Sequence, residues 1–185
     1  MLIIILTILT SFLANLETKV LQSEFTVTVA EEVNAPMNFP GQIVMEGDRF
    51  RLEMFAIEAA FDGKTMYMYS SETDELTLTN PTEQELLEAN PFLYAKALVD
   101  VCNITEKASQ DGTQTIVTLT PKDQSIGINR FTLLVRNEDL MPMKVEIKEG
   151  KKISTLKMKD PQFITTPQDY TIHPDKNTFV NDMRL

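Results

Sequence analysis

At 185 residues, 43% of them hydrophobic and 24% charged, the chain is long enough to bury one sizeable core and too apolar to be disordered. Its net charge of −10 excludes ordinary nucleic-acid binding, which needs clustered Lys and Arg, and disfavours adhesion to anionic membrane faces. The single cysteine, Cys102, excludes an internal disulfide and reads as a small buried hydrophobe.

In chain order, residues 2–14 (LIIILTILTSFLA) come first, an apolar run. It is too short for a bilayer span of about 20 residues but matches a signal-peptide core. No Lys or Arg precedes it, and Phe12 stands where a cleavage site wants a small residue. The reading adopted is a signal peptide over residues 1–16, export to the periplasm as a soluble protein, and one domain over 17–185. The alternative is a buried first helix, which would be apolar on every side. No lipobox cysteine follows the run, so no lipid anchor on the protein itself is expected.

From Phe25 the hydrophobic period is two. Phe25, Val27 and Val29 alternate with Thr26 and Thr28 as a half-buried strand. A Pro/Asn loop over 34–40 leads to a second strand at 42–45. Gly47-Asp48 then turns the chain into Phe50, Leu52 and Met54, which alternate with Arg49, Arg51 and Glu53. A strand at 57–61, the hairpin signal Asp62-Gly63 and strands at 65–69 and 75–79 follow. Asn80-Pro81 breaks the pattern, and Thr82 with Glu85 forms a capping box. The helix so opened has Leu86 and Leu87 on its apolar side and Glu83, Glu85 and Glu88 on its wet one. Asn90-Pro91 ends it, and a second helix is expected from about 92 to 102. Strands resume at 113–120, 129–135, 144–148 and 153–159, and the Pro-rich tail from Asp160 is assigned to covering a sheet edge.

Strands in hairpin order, interrupted by two helices, predict an α+β fold: a strongly curved antiparallel sheet with helices on one face. A curved sheet closed by helices instead of its own strands leaves a cavity. The candidate lining residues are Phe25, Val27, Ile43, Met45, Phe50, Leu52, Met54, Met66 and Met68 from strands, with Leu86, Leu87, Phe92 and Leu98 from the helices. The same residues at the same spacing also make an ordinary core. Ten methionines, unbranched and adaptable, suit a yielding cavity.

Catalysis finds no comparable support. The one histidine, His173, lies in YTIHPD without a recognisable nucleophile and orienting acid. There is no phosphate-binding glycine loop, no GxSxG elbow and no zinc spacing of Cys and His. The carboxylates over 72–75 and 83–88 do not follow an EF-hand loop and read as solvated faces. No enzyme, cofactor or metal is expected.

Several segments carry a family resemblance. They are GQIVM (41–45), RFRLEM (49–54), FDGKTMYMY (61–69), NPTEQELLEANPF (80–92), LTPK (119–122), the strand at 130–136 with its partner at 143–148, and FITTP (163–167). Together they resemble the periplasmic outer-membrane lipoprotein carriers, the LolA-like proteins, and among these the LolA-like chaperones of Bacteroidetes. The resemblance covers nearly everything after residue 24. It implies an open half-barrel with a helical lid over an apolar cavity, acting as a monomeric carrier of acylated lipoproteins or lipids. It also implies an inner-membrane exporter and an outer-membrane acceptor as partners. The alternative on the same fold is a lipid-binding sensor or interaction module, and an unrelated hydrolase on a curved sheet is the third reading.

Two features depart from the family. Its members have a full helix before the first strand, where this chain offers only 15–24 unless the apolar N-terminus is itself that helix. The better-known carriers latch the lid with a strand arginine, and here the matching stretch is Glu46-Gly47-Asp48 with Arg49 and Arg51 beyond it.

Overall fold

The structure is a computed structural model that describes residues 7–32 and 34–184. Alternation of apolar and polar residues builds a single sheet of twelve strands: β1 (Val20–Ala30), β2 (Met37–Glu46), β3 (Arg49–Met54), β4 (Ile57–Phe61), β5 (Met66–Ser70), β6 (Glu75–Thr79), β7 (Cys102–Ala108), β8 (Gln114–Pro121), β9 (Arg130–Arg136), β10 (Pro142–Glu149), β11 (Lys152–Ile164) and β12 (Phe179–Asp182). Their spatial order is β12-β6-β5-β4-β3-β2-β1-β11-β10-β9-β8-β7, antiparallel except for the parallel pair β12–β6. The sheet is open, with β12 and β7 at its two edges.

The long central strands β1 and β11 carry the bend. Their register shifts between Gln22 and Glu24, opposite Asp160, whose φ of 51° lies in the left-handed region. A bulge of this kind bends a strand and increases its twist. Ser23 is buried there, and its hydroxyl donates to the Lys159 carbonyl at 2.9 Å.

Three helices lie over the inner face: α1 (Thr7–Thr18), α2 (Glu83–Ala89) and α3 (Pro91–Leu98). The apolar N-terminal run, from Thr7 onward, is therefore helical and folded into the core, with Leu9, Phe12 and Leu16 buried at i, i+3 and i+7. Residues 1–6 of the expected leader lie outside the described residues. Helix α1 is held at both ends: the Leu9 N–H donates to Glu106 Oε1 of β7 at 3.2 Å, and the Gly47 N–H of the β2–β3 turn donates to the Leu16 carbonyl at 2.7 Å. Phe12 meets Phe92 of α3 edge to face at 5.5 Å, and Glu17 pairs with Lys96 of α3.

The capping box is present as expected: Thr82 accepts from the Glu85 N–H, and Glu85 Oε2 accepts from the Thr82 N–H at 2.7 Å. The second helix is shorter than expected, ending at Leu98, and an edge strand, β7, occupies 102–108. Strand β2 begins at Met37 and runs through Pro40, one residue beyond the last β2–β3 pair, Gly41–Met54, where a proline is tolerated. The tail does cover an edge. Tyr170 and Ile172 are buried, Ile172 against Ala60, Leu76 and Leu78 on the outer face of the sheet, before β12 pairs along β6.

Candidate ligand cavity

The strand register sorts the inner face into rows. The first row runs across the sheet through Leu21, Met45, Phe50, Phe61 and Met66, all buried. Two residues further along the strands lie Ser23, Ile43, Leu52, Ala59 and Met68. Two further still are Phe25, Gly41, Met54 and Ile57. Burial falls along this progression. Leu52 and Met54 are half-buried, Met68 is 49% exposed, and Phe55 in the turn beyond Met54 is 72% exposed. Helices α1 and α3 fill one end of the half-barrel, and the other end opens.

At the opening, α2 spans the inner face, and none of its residues is buried. Under it is a cavity of about 280 Å³ walled by Phe25, Val27, Ile43, Leu52 and Met54, with Val145, Ile147 and Leu156 from β10 and β11. A second hollow of about 440 Å³ lies on the far side of α2, over Ala59, Met66 and Met68. A third, of about 570 Å³, lies between α2, α3 and the loop carrying Ile126 and Ile128, and is bordered by Leu87.

Of the thirteen residues selected from sequence, eight border these three spaces: Phe25, Val27, Ile43, Leu52, Met54, Met66, Met68 and Leu87. Leu86 is half-buried and packs onto the core. Met45, Phe50, Phe92 and Leu98 are packed core, with no more than 2% of any of them exposed. Alternation assigns a residue to a face but not to a position along the strand, and these four lie at the filled end. Sequence reasoning missed Val145, Ile147 and Leu156, although each alternates with lysines or glutamates on a strand it had found.

Gly41 is needed for the shape of the wall. A Cβ there would stand 2.5 Å from both the Glu53 carbonyl oxygen and the Phe25 ring, so the ring lies directly over the β2 backbone. The strand arginines point elsewhere. Arg49 pairs with Glu46 at 2.7 Å and sits 5.1 Å from the centre of the Tyr170 ring, and Arg51 pairs with Glu58. Both alternate with the inner residues Phe50 and Leu52 and so face outward, away from α2.

Reactive groups lie outside the cavity. His173 Nε2 is 3.1 Å from Asp169 Oδ2 and 3.1 Å from Thr171 Oγ1, on the exposed tail. A catalytic triad uses the two opposite ring nitrogens, one for the acid and one for the hydroxyl, so this trio lacks the geometry. Cys102 is buried, and burial raises its thiol pKa against the opposing pull of Lys122, which keeps it protonated and inert. Among the described residues, no group of three or more His, Cys, Asp or Glu could hold a metal ion, and no helix is long and apolar enough to cross a membrane.

No family model matches the sequence, and no curated protein matches it. Solved structures do. An uncharacterized conserved protein from Thermus thermophilus superposes with a TM-score of 0.62 at 10% identity, covering 94% of this chain and 96% of that one. The Pseudomonas aeruginosa MucA/MucB complex gives 0.50 at 16% identity over 87% of this chain, which spans 58% of the matched chain. A LolA superfamily protein from Nitrosomonas europaea gives 0.41 at 12% identity, covering 85% of this chain and 94% of that one. With its open, bulge-bent antiparallel sheet and its helices laid across the inner face, the chain shares the fold of the Thermus thermophilus protein.

Proposed function

We propose that this protein is a carrier that takes the acyl chains of lipoproteins or lipids into the cavity beneath α2 and moves them through the periplasm toward the outer membrane. The observation that carries the reading is the apolar wall of Phe25, Val27, Ile43, Leu52 and Met54 roofed by a helix with no buried residue. Such a roof can lift without exposing a fully buried side chain, because only the partly buried Leu86 and Ala89 pack onto the core, and a local cap adds to its stability.

The energetics suit partial burial. Each CH₂ taken from water contributes about 0.8 kcal/mol, so a 16-carbon chain carries about 12 kcal/mol. Full burial of three such chains, about 36 kcal/mol, would exceed the roughly 20 kcal/mol ceiling of non-covalent affinity and would prevent release. A space that is apolar but open at the rim binds tightly enough to beat water and loosely enough to lose to an acceptor.

A protein-binding role on the same fold is favoured by one observation. Phe55 and Ile57 stand exposed two residues apart at the β3–β4 turn, with the Phe55 ring against that of Phe39, where a partner would cover them. The experiment that separates the two readings is native mass spectrometry of the protein purified from its own cell envelope, followed by solvent extraction. Co-purifying acylated peptides or lipids are expected. A clean protein that also fails to take up a fluorescent fatty acid would move the function to protein recognition.

A further inference from the structure

The three spaces around α2 meet at one residue. Glu88, in the last turn of the helix, borders all of them, and the neighbouring Ala89 borders the 280 Å³ and 440 Å³ spaces but not the third. Leu52 of β3 lines the first and Ala59 of β4 lines the second, and these two residues are directly paired. The two apolar spaces are therefore separated by one strand-to-strand step, about 4.8 Å, with the end of α2 standing over the seam as a divider. Building on the carrier reading, we infer that the cargo is a two-chain amphiphile, with one acyl chain on each side of α2 and a zwitterionic head in the third space.

Size supports the division. A cavity of about 150 Å³ that holds benzene gives about 25 Å³ per carbon. By that measure the first space takes about 11 carbons and the second about 18, each the scale of one chain. A single long chain filling both would have to pass beneath Ala89, whereas two chains diverging from a branch point at Glu88 need no such crossing. Of the three spaces the third carries the most polar groups, beside apolar Leu87, Ile126, Ile128 and Ile147. It is bordered by Gln84, Tyr94, Glu149 and Lys152, and Lys152 Nζ lies 3.5 Å from a Glu149 carboxylate oxygen. Burying hydrocarbon there would strip water from both charges, while a head with one positive and one negative group can satisfy both. Glu88 and Glu149 together outnumber Lys152, so a net anionic head is disfavoured.

The test is native mass spectrometry with two series, each of one head and varied chain number: lysophosphatidylcholine beside dipalmitoyl phosphatidylcholine, and a triacylated lipopeptide beside its diacylated form. One two-chain lipid or two single-chain lipids per protein are expected, with the triacylated form bound more weakly than the diacylated. Met68→Glu, at a position half in solvent and bordering only the second space, should retain the wild-type melting temperature. It should reduce the single-chain count from two to one and weaken the two-chain lipid by about tenfold or more. One single-chain lipid per wild-type protein, or equal affinity for two and three chains, would overturn the inference and leave the carrier reading standing. No binding of any of them overturns both.

Discussion

The two ends of this half-barrel use the same residue types for opposite purposes. At the filled end Leu9, Phe12, Leu21, Met45, Phe50, Phe92 and Leu98 are essentially inaccessible, and α1 is fixed by a carboxylate at one end and a turn amide at the other. At the open end Val27, Leu52 and Met54 are half-buried, Met68 is half-exposed, and α2 contributes no buried side chain. The difference lies in which helix stands over a given row, not in the sheet. A strand that alternates uniformly along its length thus supplies core at one end and a half-exposed apolar wall at the other, and on the carrier reading stability and binding are separated along one set of strands.

That separation is broken most directly from the N-terminus. A chain beginning at Glu17 lacks Leu9, Phe12 and Leu16, all buried, and it is expected to lose cooperative thermal unfolding and to bind hydrophobic dyes, as a loosened core does. Within the full chain, Phe12→Ala should cost about 3–5 kcal/mol, a drop in melting temperature of about 10 °C, while still taking up fatty acid in the cold. A truncated chain that melts like the full one would mean that α1 is dispensable packing and that the filled end is not the stable one.

Gly41→Val comes next, because at the open end it touches both stability and the cavity wall. The added carbons meet the Glu53 carbonyl and the Phe25 ring at distances that cannot be kept, so the ring must swing into the cavity. Calorimetry should show a loss of about 2 kcal/mol, with chain uptake reduced in parallel. Leu52→Glu should separate the two properties instead. Its carboxylate reaches water through the open end, so the fold should survive at a cost of about 1–2 kcal/mol while acyl binding weakens. Global unfolding of that variant would make the open end ordinary core.

How much of this was legible follows from which interactions are local. The β2–β6 ladder was readable because its strands alternate and two of its four turns announce themselves through Gly47-Asp48 and Asp62-Gly63. The cap of α2 was readable because Thr82 and Glu85 are three residues apart. Strand β7 was missed because its inner side reads Cys102, Ile104, Glu106, and the glutamate looks like a solvent face until α1 is known to end above it. Strand β12 was missed because it is four residues long and finds its partner, β6, about a hundred residues earlier in the chain. Helix α1 could not be placed from its own residues, because the groups that hold it, Gly47, Phe92 and Glu106, are all distant in the sequence.

The smallest effect is also the most local. Thr82→Ala removes the hydroxyl that accepts from the Glu85 N–H, which should loosen α2 by about 1 kcal/mol and leave the melting temperature nearly unchanged. Hydrogen exchange should quicken on α2 alone. Glu85 reports on the same cap by titration: the Thr82 backbone N–H, and after it the Thr82 hydroxyl, hold its pKa below the ordinary 4.5. A depressed carboxylate contributes stability that is full above its unfolded value and is lost as pH falls through its folded one. Acidification below about pH 4.5 should therefore weaken the cap of α2 and quicken exchange in its first turn. In Thr82→Ala the Glu85 midpoint, followed by carbon NMR of the carboxyl, should move only part of the way back, because the backbone donor remains. A full return to 4.5 would show that the hydroxyl, not the amide, fixes the open end's lid.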